Sequence, residues 1–298
     1  MTKLAIAPSP PAWTGIALMF GAGALVAVTS LLAKTLGLPD GAGRVLSPFQ
    51  VSAGRFSFAF CTLLLFVLLV PTARPSMAGA SWRLHFLRSV CGWLGVTCMF
   101  AAVARMPLAE ATAISFLNPL VAMVLAVVML GEHLNVRKII ATVLALAGAM
   151  LILRPGSEAF QPAGLLALCA ALFMGLEVVF VKRLSDSEPA LRVLLINNAA
   201  GTCISLAVAA FVWIWPTGLQ WLMLIALGVV MVSAQSLFIQ SMKRGEASFV
   251  IPAFYSVLAF AALYDFALYG AVPSWMAVAG AALIVSGAII LVMRGRRR

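Results

Sequence analysis

Charge is what this sequence has least of. Asp, Glu, Lys and Arg make up 10% of its 298 residues, with nine acidic residues and two histidines in the whole chain, while 63% of residues are apolar. A soluble domain runs near ~45–50% apolar and ~25% charged. Surface-to-volume scaling gives a soluble globule too little interior to hide so much apolar surface. The shortage excludes an ordinary cytosolic enzyme, a disordered chain and a small secreted module. The five cysteines (Cys61, Cys91, Cys98, Cys169, Cys203) lie in apolar runs, are odd in number and show no CxxC spacing. They read as small core hydrophobes, not as a redox or metal framework. His85 and His133 stand singly in polar segments, so no metal ligand set is expected. No Walker loop occurs, and Gly21-Ala-Gly23 lies inside an apolar run where a nucleotide loop would need a preceding strand. No Ser/His/Asp set is present either. The sequence therefore predicts no catalytic residue, no metal and no cofactor.

What is present is a succession of apolar runs, each near the ~20 residues a membrane helix needs. Ten windows qualify: 12–36, 46–70, 84–104, 108–130, 138–154, 162–182, 192–214, 219–241, 247–269 and 274–293. The runs are continuous, without the alternation of a membrane β-barrel. The expected fold class is an all-α integral membrane protein with ten transmembrane helices. The connections between windows leave no room for a soluble domain. The first run is too long for the apolar core of a cleaved signal and is kept as the first span.

The formal charge of +11 would suggest nucleic acid in a soluble chain. In a membrane protein, basic residues in short loops fix topology against an anionic inner leaflet, so the expected partners are the bilayer and a small-molecule substrate, with no nucleic acid. With the N-terminus inside, Lys3, Arg74, Arg83, Arg88, Arg137, Lys138, Lys182, Arg183, Arg192, Lys243, Arg244, Arg294, Arg296, Arg297 and Arg298 fall on the inner side. Lys34, Arg44, Arg105 and Arg154 fall on the outer side, and Arg55 lies within a span. Fifteen against four predicts both termini in the cytoplasm of a cell with a bacterial-type inner membrane. The sequence fixes no oligomeric state; a monomer is compatible with it.

The two halves resemble each other. Phe100–Leu153 and Phe238–Leu291 each hold two runs joined by a glycine turn (Gly131, Gly270), and each ends in a small-Gly-small step at Gly148 or Gly287. The division falls at 1–157 and 158–298. Five spans per half is odd, so the second copy must be inverted in the membrane. Inverted repeats place a substrate site near the midplane and support alternating access.

At these residues the chain resembles the drug/metabolite transporter superfamily, in its ten-span EamA group. The resemblance rests on Lys34 ending the first span, Ser47-Pro48-Phe49-Gln50 followed by Arg55, Asn118-Pro119, Gly131-Glu132, and Pro252-Ala-Phe-Tyr255 with Gly280 and Ser286-Gly287. The chain departs at Gly270-Ala271, where the family often has Gly-Glu. The resemblance implies a secondary transporter of amino acids, including aromatic ones, and related small metabolites, with export favoured over import. The alternatives are an importer of another metabolite or drug, such as a nucleoside, an S-adenosylmethionine-like compound or a cationic drug. A membrane scaffold and an intramembrane enzyme are further ones. It also implies that the fifth and tenth spans lie outside the cavity.

Polar groups within spans are costly and usually face the bundle interior. Arg55, Asn118, Glu177 and Asp265 stand out. Glu177 either lines the site or reaches toward Lys182 and Arg183. Arg55 and Asp265 read as structural or gating groups, expected to be close to each other. Pro119 and Pro252 interrupt the fourth and ninth spans, freeing the carbonyls of Ser115 and Ser248. Paired interruptions in related helices point to a binding site. Most tryptophans lie at span ends, as an interfacial belt explains, but Trp93 and Tyr255 do not. The expected substrate-binding set is therefore Trp93, Phe100, Asn118, Pro119, Glu177, Gln235, Pro252 and Tyr255, with Phe116 and Tyr264 as further cage aromatics.

Overall fold

The computed structural model describes residues 12–39, 43–118, 162–185, 187–244 and 256–292, together with scattered positions between 121 and 151 and position 254. Among the described residues there is no strand. The helices are α1 (Ala12–Leu36), α2 (Pro48–Leu69), α3 (Trp82–Val103), α4 (Leu108–Ser115), α5 (Ala163–Ser185), α6 (Ala190–Ala209), α7 (Gly218–Arg244), α8 (Ser256–Tyr269) and α9 (Trp275–Val292). Segments of α1, α2, α3, α5 and α7, and the stretch Ala190–Val212 that begins with α6, are long and apolar enough to cross a membrane; α8 and α9 contribute shorter apolar helices. Most of the predicted fifth span lies outside the described residues.

Local chemistry sets the boundaries. Ser47 caps α2, its hydroxyl accepting from the Gln50 amide at 3.2 Å, and Pro48 occupies the first turn, where its missing N–H costs nothing. Thr217 and Gln220 form a reciprocal capping box at the start of α7, with Oγ1 accepting from the Gln220 amide and Oε1 from the Thr217 amide. Gly270 ends α8 at φ +64°, and its amide bonds the Phe266 carbonyl at 2.9 Å. That left-handed conformation is open to glycine and strained for a residue with a Cβ.

Apolar side chains cover the outside as well as the core. Leu69 is 72% exposed and Phe266 56%, while Met19, Phe56 and Leu224 are buried. Such a surface needs hydrocarbon around it, since contiguous apolar patches of this extent are rare on soluble monomers. Cys61, Cys169 and Cys203 are exposed and Cys91 and Cys98 half-buried, all as free thiols. Their expected core role is thus corrected: a small apolar thiol suits a lipid-facing position as well as an interior one.

The two broadest interfaces are α1–α7 and α3–α5, followed by α2–α6, α2–α7 and α1–α8, with α3–α6, α4–α8 and α4–α5 smaller. Helices before residue 157 therefore pack mainly on helices after it. Exchanging each helix for the one five predicted spans away turns α1–α7 into α5–α3, α2–α7 into α6–α3 and α1–α8 into α5–α4, and maps α2–α6 and α4–α8 onto themselves. Some crossings are close enough to demand glycine. A Cβ on Gly228 of α7 would lie 2.6 Å from the Ala59 amide nitrogen of α2, and one on Gly148 would lie 2.5 Å from the Gly280 carbonyl oxygen of α9. Small residues let backbones approach in this way.

Candidate functional site

Three buried ionic groups stand out among the described residues. In the first, α1 packs on α8 and brings the Lys34 ammonium onto Asp265 Oδ1. The other carboxylate oxygen accepts from the Leu108 amide at 2.9 Å. Leu108 opens α4, so the carboxylate satisfies one of the unpaired amides at that helix start and meets the positive end of its dipole. The Lys34 ammonium also lies 4.5 Å from the centre of the Tyr269 ring. Thr35 Oγ1 donates to the Leu31 carbonyl and so accepts from the Tyr269 hydroxyl at 2.6 Å.

The second group lies among α2, α3, α5 and α6. Arg88 on α3 donates from Nη1 to the Val193 carbonyl at 2.9 Å, and its Nη2 stands 3.4 Å from Glu177 Oε1 on α5. Gly92, one turn further along α3, makes room for that carboxylate: a Cβ there would lie 3.0 Å from it. Arg55 on α2 is 5% exposed, lies within electrostatic reach of Glu177 and Arg88, and has its guanidinium carbon 4.4 Å from the centre of the Phe56 ring. The Thr97 hydroxyl donates to Ser52 Oγ at 3.0 Å, fixing the register of α3 against α2. Arg55 lies one turn beyond Ser52 on α2, and Trp93 one turn before Thr97 on α3. Trp93 stacks on Phe49 with ring centres 6.3 Å apart. Arg55 Nη1, Trp93 Nε1, Ser89 Oγ, Arg88 Nε and Asn197 Oδ1 are buried with no hydrogen-bond partner among the described residues.

A third group ties two helix starts together. Glu188 precedes α6 and accepts from the Ser81 amide at 2.8 Å through Oε1. Its Oε2 lies 2.8 Å from His85 Nε2 and 3.6 Å from Arg192 Nη1. An ionised carboxylate has only acceptors, so the imidazole N–H is the donor. Burial opposes charging of Glu188, but the Ser81 amide, His85 and Arg192 together outweigh it and hold this carboxyl below its ordinary range. His85 is 1% exposed within the first turn of α3. Its expected place in a polar segment is corrected, because a contact 103 residues away in sequence leaves no local trace.

The expected pairing of Arg55 with Asp265 is also corrected. Asp265 is held by Lys34 and the Leu108 amide, and Arg55 lies with Arg88 and Glu177. Lys34 reads from sequence as an outer anchor; the α1–α8 contact turns it inward. Of the expected binding residues, Glu177 comes against Gly92 of α3 and within electrostatic reach of Arg55, and Trp93 follows Gly92 on the same helix and stacks on Phe49. Phe100 is buried in the main core with Phe116. Gln235 is half-buried on α7. Asn118 is half-buried, and its carbonyl approaches Gly175 of α5, half a turn from Glu177. The fourth span is interrupted where expected: α4 ends at Ser115, a turn follows at Phe116 and Leu117, and Val121 bonds the Leu117 carbonyl at 3.0 Å. Pro119, Pro252 and Tyr255 lie outside the described residues. Two aromatics missed in the sequence join three spans here: Phe254 meets Phe116 edge-on at 5.9 Å and Phe238 of α7 at 5.4 Å. Tyr264 stacks on Phe260.

A model described as the EamA-like transporter family matches residues 13–154 and again 161–293. Among curated proteins, an S-adenosylmethionine uptake transporter of Rickettsia felis is 25% identical over 255 residues, 84% of each chain. The pseudopaline exporter CntI of Pseudomonas aeruginosa is 25% identical over 238 residues, 79% of this chain and 84% of that one. A riboflavin transporter of Vibrio cholerae is 29% identical over 214 residues, 71% of this chain and 72% of the other. A solved crystal structure superposes with a TM-score of 0.63 at 22% identity, covering 97% of this chain and 100% of its own. At that identity it shows a shared fold.

Proposed function

Since the chain belongs to the EamA-like transporter family, we propose that it is a secondary transporter that exports amino acids and related small metabolites across the inner membrane by alternating access. The family is one of transporters, and the relatives named above carry S-adenosylmethionine, pseudopaline and riboflavin. The finer reading has ten spans in two inverted halves, 1–157 and 158–298, with both termini cytoplasmic. What supports the halves is the exchange symmetry of their packing, which two like units rocking about a shared site require. The site lies near the midplane, bounded by the fourth and ninth spans with Asn118, Pro119, Pro252 and Tyr255, and completed by Trp93, Phe100, Glu177 and Gln235.

The observation that carries the substrate class is the mixed-sign group of Arg55, Arg88 and Glu177, with the stacked Trp93 and Phe49 on the same helices α2 and α3. A zwitterion with an apolar side chain matches it: buried charges are tolerated when opposite charges meet them, and aromatic faces take the side chain. S-adenosylmethionine, named for the Rickettsia relatives, is itself an amino acid, and these relatives favour a second reading, uptake of such a metabolite. Proteoliposome counterflow with amino acids, nucleosides, sugars and cationic drugs, with and without a pH gradient, tests both. Exchange of neutral amino acids supports the first reading. Exchange confined to the other classes overturns it.

A further inference from the structure

We infer that Arg55, with the Trp93 indole N–H and the Ser89 hydroxyl, forms a carboxylate-binding subsite; this deepens the proposed function and rests on it for the identity of the cargo. Thr97, Trp93 and Ser89 are spaced by one helical turn each, so they form one stripe on α3. The Thr97–Ser52 bond turns that stripe toward α2, one turn from Arg55. The second stripe of α3, Arg88 and Gly92, faces α5 and α6 instead, through Glu177 and the Val193 carbonyl. Two arginines of equal burial, both 5% exposed, are thus in different situations. Arg88 has a carbonyl and a carboxylate on its two terminal nitrogens, with Nε alone unmet. Arg55 has an aromatic face, a share in the same carboxylate's field, and an Nη1 group without a hydrogen-bond acceptor among the described residues.

An unmet buried donor costs free energy, and an unmet charged one costs more. Three such donors, Arg55 Nη1 on α2 and Trp93 Nε1 and Ser89 Oγ on the α3 stripe turned toward it, are unmet. With two guanidinium groups sharing Glu177, the group carries one positive charge in excess. A single carboxylate neutralises the excess and supplies acceptors to all three donors, and the planar guanidinium suits it in a two-point contact. The α-ammonium of the same molecule then faces Glu177, while Trp93 and Phe49 flank the side chain.

The test uses the purified full-length protein in two experiments. In the first, thermal unfolding without any added solute compares Arg55→Met with Arg88→Met. Arg55→Met should leave the Tm unchanged or raise it, because an unmet charge is removed, whereas Arg88→Met should lower it, because Glu177 and the Val193 carbonyl lose their partner. A fall in Arg55→Met as large as in Arg88→Met makes Arg55 a structural tie and overturns the subsite. In the second, the probes are L-phenylalanine and its amide in counterflow, and phenylacetate and phenylacetamide in thermal-shift titrations. The acid should be favoured over its amide, and Arg55→Gln should erase about 10–100-fold of that preference while Arg55→Lys keeps part of it. If phenylalanine is not exchanged but phenylacetate is bound through Arg55, the amino-acid reading fails and the subsite stands. If phenylalanine is exchanged and Arg55→Gln weakens acid and amide alike, the transport reading stands and the subsite is wrong. No recognition of any carboxylate over its amide also overturns the subsite.

Discussion

The Lys34–Asp265 pair and the Arg55–Arg88–Glu177 group are both ionic and both buried, yet they differ in how completely their atoms are satisfied. Both Asp265 oxygens have donors, and Lys34 has a carboxylate and an aromatic face. The second group holds more donors than acceptors, with Arg55 Nη1, Arg88 Nε, Trp93 Nε1 and Ser89 Oγ unmet. A saturated group holds helices α1, α4 and α8 in one arrangement. An unsaturated group is stable only while the surrounding fold supports it, and it gains on meeting a ligand that completes it. Burial and charge alone do not separate the two kinds of site; the tally of donors and acceptors does.

The largest expected effect breaks the saturated side. Asp265→Ala removes the partner of a buried cation and the cap of α4, and should cost about 3–5 kcal/mol, read as a lower Tm and folded yield. The double variant Lys34→Met/Asp265→Leu should recover most of that loss, since apolar residues of similar size commonly replace a buried pair without penalty.

Next comes Gly92. A Cβ there meets the Glu177 carboxylate at 3.0 Å, and a larger side chain must displace it. Gly92→Val should destabilise by about 1–3 kcal/mol and weaken transport more than its Tm change explains. An effect of similar size, on cargo selection and not on folding, is expected at Trp93. Trp93→Ala should weaken large apolar substrates by about 5–150-fold, the equivalent of about 1–3 kcal/mol of lost contact, and small ones less, as paired transport kinetics would show.

The smallest effect concerns acid. Glu188 has a folded-state pKa below its ordinary 4.5, so its contribution to stability is complete above pH ~4.5 and is lost as pH falls through the folded value. Thermal unfolding between pH 7 and pH 3 should show this acid-side loss, and Glu188→Gln should flatten it.

The helices were legible in the sequence because their causes are local. Predicted windows 12–36, 46–70 and 84–104 coincide within two residues with α1, α2 and α3, since apolar length, Ser47-Pro48 and the loop charges all act within a few positions. The interruption after Ser115 was legible for the same reason, as a proline cannot bond the carbonyl four residues back. Arg55, Asn118, Glu177 and Asp265 are legible in the sequence as out of place in a membrane, but their partners are not. Lys34 with Asp265 spans 231 residues of sequence and His85 with Glu188 spans 103; such pairings depend on which helix faces turn together. Gly92 was invisible as a site residue, because what it contributes is the absence of a side chain opposite Glu177.

The most direct test of the comparison is substrate affinity, measured by equilibrium binding to the purified full-length protein in nanodiscs, with an amino acid identified by counterflow. Lys34→Met/Asp265→Leu should bind within about threefold of the unaltered protein, while Glu177→Gln and Arg55→Gln should bind at least about tenfold more weakly. Loss of binding in the Lys34/Asp265 variant, with binding retained in the other two, would contradict this.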